Sequence, residues 1–158
     1  MKIIGILFFF CVLSSGSYAQ KMWLDILPLK DNKICYTGVV QVDSVLADEL
    51  YQRAKEWMVR ECDVIKINNK NELAGNGFYY NVFNKKIWYL IQIKIKDNHY
   101  KYELTDFKEK SSEFKDAPLE DTKIIAGKNE YYRRVDEEIN EIITGLKKAM
   151  QTPIDDKW

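Results

Sequence analysis

The sequence predicts an α+β fold in which an antiparallel sheet carries two helices on one face. Three observations support this fold class. A long stretch from Val64 to Phe107 alternates apolar and polar residues, two other stretches show helical spacing, and short Asn- and Asp-containing turns separate the alternating runs. The predicted element order is β-α-β-β-β-β-α, with a curved antiparallel sheet and both helices packed on one face of it.

Residues 1–19 have the pattern of a secretory signal peptide. Lys2 precedes an apolar run from Ile3 to Leu13, and Ser17-Tyr18-Ala19 places small residues at both positions that signal peptidase recognises. The run is shorter than the ~20 residues that a membrane-spanning helix needs. We therefore expect no transmembrane segment, a mature chain that begins at Gln20, and export to the periplasm or the extracellular space.

The composition of the remaining chain is that of one globular domain. Basic and acidic side chains number 24 each, and Lys2 is the only charged residue in the first 19, so the mature net charge is −1. Proteins that bind nucleic acid through its phosphates usually carry a basic excess, so we expect no nucleic-acid partner. Residues 20–151 are predicted to form one α+β domain, and residues 152–158 a tail after the last helix.

The first strand and the first helix are predicted within residues 34–61. Ile34 to Val42 alternates, with Tyr36 and Val40 on the same side as Ile34. Ser44 is expected to cap a helix from about Val45 to Glu61. The apolar stripe of this helix comprises Ala47, Leu50, Ala54, Trp57 and Met58.

Four strands are predicted next, joined as a meander. Their ranges are Val64 to Asn68, Leu73 to Phe83, Lys86 to Lys96 and His99 to Phe107. A two-residue hairpin turn fixes strand register, and we expect such turns at Asn84-Lys85 and Asp97-Asn98. The resulting core face would comprise Phe78, Tyr80, Val82, Ile87, Tyr89, Ile91, Ile93, Tyr100 and Tyr102.

The last part of the chain is predicted to be a long loop followed by a helix. Thr105 to Asn129 is polar and irregular, with charge runs, Pro118 and Gly127. A second amphipathic helix is expected from about Glu130 to Gln151, and Pro153 follows its end.

The layout resembles a known family. The residues that carry the resemblance are the segments 27–33 (Leu-Pro-Leu-Lys-Asp-Asn-Lys), 48–57 (Asp-Glu-Leu-Tyr-Gln-Arg-Ala-Lys-Glu-Trp) and 117–121 (Ala-Pro-Leu-Glu-Asp), with Gly75 and Gly77 in a strand. They look like the secreted bacterial domain family of unknown function described as having a TATA-binding-protein-like (TBP-like) fold. The resemblance implies that fold, and it implies no catalytic residue, ligand or DNA role.

The residues offer no clear catalytic constellation. His99 is the single histidine and adjoins a predicted turn, and Cys35 has no imidazole beside it in the sequence pattern. We expect no catalytic residues, no cofactor and no metal site. Two alternatives remain: a secreted enzyme that uses carboxylate or cysteine chemistry, and a small-molecule carrier.

Two cysteines, Cys35 and Cys62, remain after removal of the signal peptide. The sequence allows either a disulfide between them or two separate buried thiols.

The reverse side of the predicted sheet is the candidate interaction surface. Two helices cover only one face, so the other would expose an aromatic and basic set comprising Val39, Tyr79, Trp88, Leu90, Lys94, Lys96 and Lys101. Exposed Trp and Tyr patches mark interfaces. The favoured function is a noncatalytic exported binding or assembly module for an unknown protein, peptide or glycan-like partner, a second copy of the chain included. The alternative is that the loop 105–129 covers this face.

Overall fold

The computed structural model describes residues 26–110, 116–121 and 128–154, and the proposed signal peptide lies outside these ranges. The elements, in chain order, are β1 (Leu29–Lys30), β2 (Lys33–Ile34), β3 (Tyr36–Gln41), α1 (Ala47–Glu61), β4 (Cys62–Asn69), β5 (Glu72–Tyr80), β6 (Lys86–Lys96), β7 (His99–Glu109), β8 (Ala117–Pro118), a 3-10 turn (Leu119–Asp121) and α2 (Lys128–Gln151). The predicted α+β class is confirmed.

The main sheet is antiparallel and runs in the order β3-β7-β6-β5-β4, while β8 pairs with the far end of β7. The predicted two-residue turn at Asp97-Asn98 is confirmed, because Lys96 lies opposite His99. Asn98 has a φ of 63°, a conformation that asparagine adopts more readily than most residues. The register that follows from this turn also places Ile93 opposite Tyr102.

Both helices pack on one face of the sheet. That face is built from alternate residues of β6 and β7, and Ile91, Ile93 and Leu104 are fully buried there. Arg53 of α1 is 5% exposed and donates to the backbone oxygen of Met150 in α2 at 2.6 Å, which ties the two helices together. The buried residues of the helices are Leu50, Ala54, Trp57 and Met58 in α1 and Tyr131, Tyr132, Val135, Ile139, Ile143, Leu146 and Met150 in α2.

The start of α1 differs from the prediction. Ser44 does not cap the helix: it has a φ of 62°, and the N-cap position is Leu46, which makes no side-chain cap. The Asp97 carboxylate of the β6–β7 turn instead accepts a hydrogen bond from the Ala47 backbone N–H at 2.8 Å. A carboxylate satisfies the free N–H groups of a helix start and suits its partial positive charge, so the hairpin caps α1 from a distance.

The turn between β5 and β6 was predicted wrongly, and the error reverses the faces of β5. The loop spans residues 81–85 rather than Asn84-Lys85 alone, and Tyr80 lies opposite Lys86. The buried Asn81 side chain organises the wider loop by accepting hydrogen bonds from the backbone N–H groups of Phe83 and Lys85. Because side chains alternate with a period of two, an odd shift in register exchanges the two faces of a strand.

Three residues predicted for the core consequently lie outside it. Tyr80 and Val82 are 60% and 61% exposed, and Phe78 lies opposite Trp88 on the face without helices. The core face of β5 is formed by Leu73, Gly75, Gly77 and Tyr79 instead, since these pair with Ile93, Ile91, Tyr89 and Ile87.

A β-bulge lengthens β7 beyond its predicted end. The register shifts between Trp88 and Leu90, which lie opposite Lys108 and Thr105, and Asp106 has a φ of 54°. The extra residue restores the alternation one position later, so that Phe107 is buried in the core and Glu109 lies opposite Ile87. Residues 105–109 therefore belong to a strand and not to the predicted loop.

The two cysteines do not pair. Cys35 immediately precedes β3 and Cys62 begins β4, and these strands form opposite edges of the five-strand order. Four inter-strand spacings amount to about 19 Å, whereas a disulfide requires Cα atoms within about 7 Å. Both thiols are free, so the disulfide considered from the sequence is wrong and the alternative of two separate thiols holds.

Candidate functional site: the open face of the sheet

The open face is the side of the main sheet that points away from both helices. The register places on it alternate residues of all five strands. Its aromatic part, the aromatic patch, consists of Phe78 and Tyr80 from β5 and Trp88 from β6. The ring centroids of Phe78 and Trp88 are 5.1 Å apart, and those of Phe78 and Tyr80 are 6.0 Å apart. These separations are typical of favourable aromatic pairs.

Lys86 holds the aromatic patch together. Its ammonium lies 3.5 Å from the ring centroid of Phe78 and 3.9 Å from that of Trp88. A cation over an aromatic face contributes about 0.5–1 kcal/mol at an exposed site. The patch is therefore ordered by contacts within the protein, although Tyr80 remains mostly exposed.

Six of the seven residues predicted for the interaction surface lie on the open face. They are Val39, Trp88, Leu90, Lys94, Lys96 and Lys101, and Val39 is 68% exposed. Tyr79 is the exception: it lies opposite Ile87 on the helix-covered side and packs against the ring of Tyr89. The shifted turn explains this error, because it exchanges Tyr79 with its neighbours Phe78 and Tyr80.

The environment of Tyr79 is that of a core residue. Burial, reinforced by the nearby Glu138 carboxylate, raises the pKa of its phenol well above the ordinary value. The hydroxyl has no hydrogen-bond partner among the described residues. Tyr79 is partly buried, packs against the core on the helix-covered side and is not part of the open face.

The basic part of the open face is balanced by carboxylates. Lys94 lies directly opposite Lys101, as predicted, and Lys96 lies opposite His99. However, Glu72 lies opposite Lys94 on its other side, and Glu103 approaches Lys101 to 3.8 Å. Lys94, Lys96, Lys101, His99 and Glu72 border a broad groove of about 730 Å³, whose charge is mixed rather than strongly positive because Asp97 also lines it.

The described part of the segment 105–129 borders the open face at one edge. Ala117 and Pro118 form β8, which extends the sheet beside Lys108 and Glu109. Asp116, just before β8, lines a pocket that also contains Trp88. Residues 111–115 and 122–127 lie outside the described ranges.

The candidate catalytic groups occupy separate places. Burial raises the pKa of the Cys62 thiol to about 12 and also raises the pKa of the Cys35 thiol, which makes both poor nucleophiles. His99 is exposed beside its turn, with Nδ1 3.2 Å from the Asp97 backbone oxygen. Within the described ranges, no group of three His, Cys, Asp or Glu residues could hold a metal ion.

Three carboxylates of α2 and β7 have structural partners within the fold. Asp136 accepts a hydrogen bond from the Tyr36 hydroxyl at 2.6 Å, and Glu138 accepts one from the Val82 backbone N–H at 2.9 Å. Glu109 accepts hydrogen bonds from the Lys85 ammonium and from the Tyr131 hydroxyl.

In the part of the chain that the structure describes, no helix is long and apolar enough to cross a bilayer.

Comparison with known proteins agrees with this architecture. Residues 36–110, which span β3 to β7, match the model of a family described as "Domain of unknown function (DUF4468) with TBP-like fold". The fold is TBP-like. This match supports the resemblance noted from the sequence, both to this family model and to its fold. The expectation of secretion rests on residues 1–19 alone.

Solved structures show the same TBP-like fold. A TBP-like protein from Parabacteroides distasonis ATCC 8503 superposes with a TM-score of 0.72 at 15% identity, covering 82% of this chain and 99% of that one. A DUF4468 family protein from Bacteroides ovatus ATCC 8483 gives 0.70 at 17% identity, covering 87% and 97%. No curated protein matches the sequence. At these identities the likeness concerns the fold alone.

Sequence reasoning missed Phe78, Tyr80 and Lys86 as members of the open face. The signal that could have placed them is Asn81, a residue that commonly organises turns through its side chain. It also missed Asp106, because no sequence feature apart from the Asp itself marks the bulge.

Proposed function

We propose that this TBP-like domain is an exported, noncatalytic binding or assembly module that acts through the open face of its sheet. The observation that carries the proposal is the aromatic patch of Phe78, Tyr80 and Trp88. It lies on a face that neither helix covers, and Tyr80 is 60% exposed. In protein interfaces, a few residues, most often Trp, Tyr and Arg, contribute most of the binding free energy.

The order within the patch supports a binding role. Lys86 lies against both Phe78 and Trp88, so their side chains are held before any partner arrives. Binding costs the freedom of side chains that become fixed, about 0.5–1.5 kcal/mol for each mobile one. A preordered aromatic surface reduces that cost.

The loop after β5 exposes two further apolar side chains, Val82 and Phe83, which are 61% and 52% exposed. They belong to the helix side: the Phe83 ring lies 5.6 Å from the Tyr131 ring of α2, and the Val82 backbone N–H donates to Glu138 of α2. The proposed binding surface is therefore the aromatic patch itself, without this loop.

Export is part of the proposal and rests on the pattern of Lys2, the apolar run 3–13 and Ser17-Tyr18-Ala19. The domain would act in the periplasm or outside the cell. Mass spectrometry of the exported protein should find Gln20 at the N-terminus. Retention of Met1, or a lipid attached to Cys11, would contradict the proposal.

Site-specific photo-crosslinking tests the binding surface. A photoreactive phenylalanine analogue replaces Tyr80 in the exported protein, which is irradiated in its own cells. The matched control carries the same analogue at Gln52, an exposed position on α1. We expect a discrete adduct from position 80 that position 52 does not give, and mass spectrometry identifies it as a second copy, another protein or a glycan. No adduct from position 80, or the same adducts from both positions, would contradict the proposal.

A further inference from the structure

A small pocket lies beside Trp88 on the open face. Its volume is about 270 Å³. Pockets for drug-sized ligands usually have volumes of about 300 Å³ or more. Its size suits a single ring rather than a large ligand. Residues from four segments of the chain line it: Asn76, Trp88, Tyr89, Leu90, Asp106, Lys108 and Asp116.

The β-bulge in β7 builds one wall of this pocket. Asp106 is the bulged residue with positive φ, and the added residue brings both Asp106 and Lys108 to the open face next to Trp88. Bulges re-aim side chains and are over-represented beside functional sites. In a regular continuation from Thr105, which lies on the open face opposite Leu90, Asp106 and Lys108 would both point to the helix-covered face.

Trp88 belongs both to the aromatic patch and to the pocket. Leu90 and Asn76 line the pocket together with Trp88, while Lys86 and Phe78 are not part of its lining. The Lys86 ammonium lies 3.9 Å from the centroid of the Trp88 ring. The pocket therefore combines the indole with the apolar side chain of Leu90.

The polar groups around the ring can both donate and accept hydrogen bonds. Lys108 donates to one oxygen of Asp106 at 2.9 Å, and the other Asp106 oxygen has no partner among the described residues. Asp116 makes no hydrogen bond or ion pair within those residues either, and the Asn76 amide supplies a donor and an acceptor. The wall of the pocket is thus suited to a ligand with several hydroxyl groups.

Charge selects against ionic ligands. Two carboxylates of the lining, Asp106 and Asp116, repel an anion, whereas the Lys108 ammonium of the same lining repels a cation. A neutral ligand avoids both repulsions. A sugar ring combines this neutrality with an apolar C–H face for the indole and with hydroxyl groups for the carboxylates and the amide.

We propose that the pocket beside Trp88 binds one neutral sugar ring of a glycan. This inference rests on the proposed function, since it names the ligand class of the same open face. The C–H face of the sugar would stack on the indole of Trp88. Its hydroxyl groups would donate to Asp106 and Asp116 and accept from Asn76.

The test is a titration of the mature protein with neutral monosaccharides and oligosaccharides, in which calorimetry and ligand-observed NMR measure binding. We expect a single sugar ring to bind weakly, with a Kd of about 1 mM. Trp88→Ala and Asp106→Asn should each weaken it more than tenfold. Asn tolerates the positive φ at position 106, so the second variant should keep the bulge. Gln52→Ala, at an exposed position of α1 away from the open face, is the control and should bind normally.

Several results would overturn the sugar assignment while leaving the proposed function intact. One is the absence of binding by any neutral sugar while position 80 still crosslinks to a protein or to a second copy. Another is tighter binding of glucuronate, inorganic phosphate or choline than of neutral sugars. Sugar binding that survives Trp88→Ala would place the ligand elsewhere. Thermal unfolding of each variant verifies that the protein is folded.

Discussion

The two faces of the sheet differ in what their side chains contact. On the helix-covered face, Ile87, Ile91 and Ile93 are fully buried against α1 and α2. On the open face, their immediate neighbours Trp88, Leu90 and Gln92 remain partly exposed. Residues adjacent in sequence thus have opposite environments. Stability should therefore depend mainly on one face and binding on the other.

The largest effect is expected from a charge placed on the helix-covered face. Ile91→Asp would bury an unpaired carboxylate between Gly75 and Leu104, which should cost more than about 4 kcal/mol and prevent stable folding. Leu90→Asp is the matched control on the open face and should cost about 1 kcal/mol. Chemical denaturation measures both, and equal losses would show that the two faces do not differ.

High pH should destabilise the protein through its buried tyrosines. Burial raises the pKa of the Tyr132 phenol to about 12 and raises the pKa of the Tyr89 and Tyr100 phenols as well. Because the unfolded value is about 10, the unfolded chain loses protons first, and stability falls as the pH rises from about 10 through 12. Tyr132 alone would account for a loss of about 3 kcal/mol once it must ionise.

A pH titration monitored by circular dichroism and by phenolate absorbance tests this expectation. Unfolding and ionisation of the buried tyrosines should coincide. Tyr132→Phe should move the alkaline transition to higher pH. A transition at the same pH in both proteins would show that the ionisation of Tyr132 does not limit stability.

Two glycines should respond in opposite directions to replacement by alanine. Gly77 lies opposite Tyr89 on the helix-covered face, and an added Cβ would overlap the Tyr89 ring. Gly77→Ala should therefore cost about 1–3 kcal/mol. At Gly145, an exposed position of α2, the added Cβ would make an ordinary contact at 3.6 Å from Trp57 Nε1. Gly145→Ala should stabilise the protein by up to about 1 kcal/mol, and thermal unfolding gives both signs.

The smallest effect is expected from reductant. Cys35 and Cys62 are free and lie at opposite edges of the sheet, so reductant should not change the melting temperature. With the pKa of Cys62 near 12, alkylation of the native protein at pH 8 should be slow and should become fast on unfolding. A lower melting temperature in reductant would reveal a disulfide.

The sequence was sufficient for most of the fold because periodicity reports which face of an element is buried. The β6–β7 hairpin was predicted with its correct register, since Asp97-Asn98 forms a two-residue turn and Asn98 accepts a positive φ. The β5–β6 hairpin was not, because Asn81 closes a wider loop through hydrogen bonds that only the folded backbone shows. Alternation alone cannot decide between two registers when both faces of a strand are aromatic.

The same reasoning explains why the candidate site was only partly predicted. Trp88, Leu90 and the lysines of β6 and β7 followed from the correct hairpin. Tyr79 was assigned to the wrong face because it depended on the other hairpin. The pocket beside Trp88 depends on the bulge at Asp106, which the alternation of apolar and polar residues along β7 does not reveal.

The most direct test of the account compares Tyr79→Ala with Tyr80→Ala. The two residues are neighbours, yet Tyr79 lies under α2 and Tyr80 lies on the open face. The account predicts that Tyr79→Ala lowers the free energy of unfolding by about 3 kcal/mol or more, while Tyr80→Ala changes it by less than about 1 kcal/mol. The reverse order, with Tyr80→Ala costly and Tyr79→Ala neutral, would contradict both the register and the assignment of the two faces.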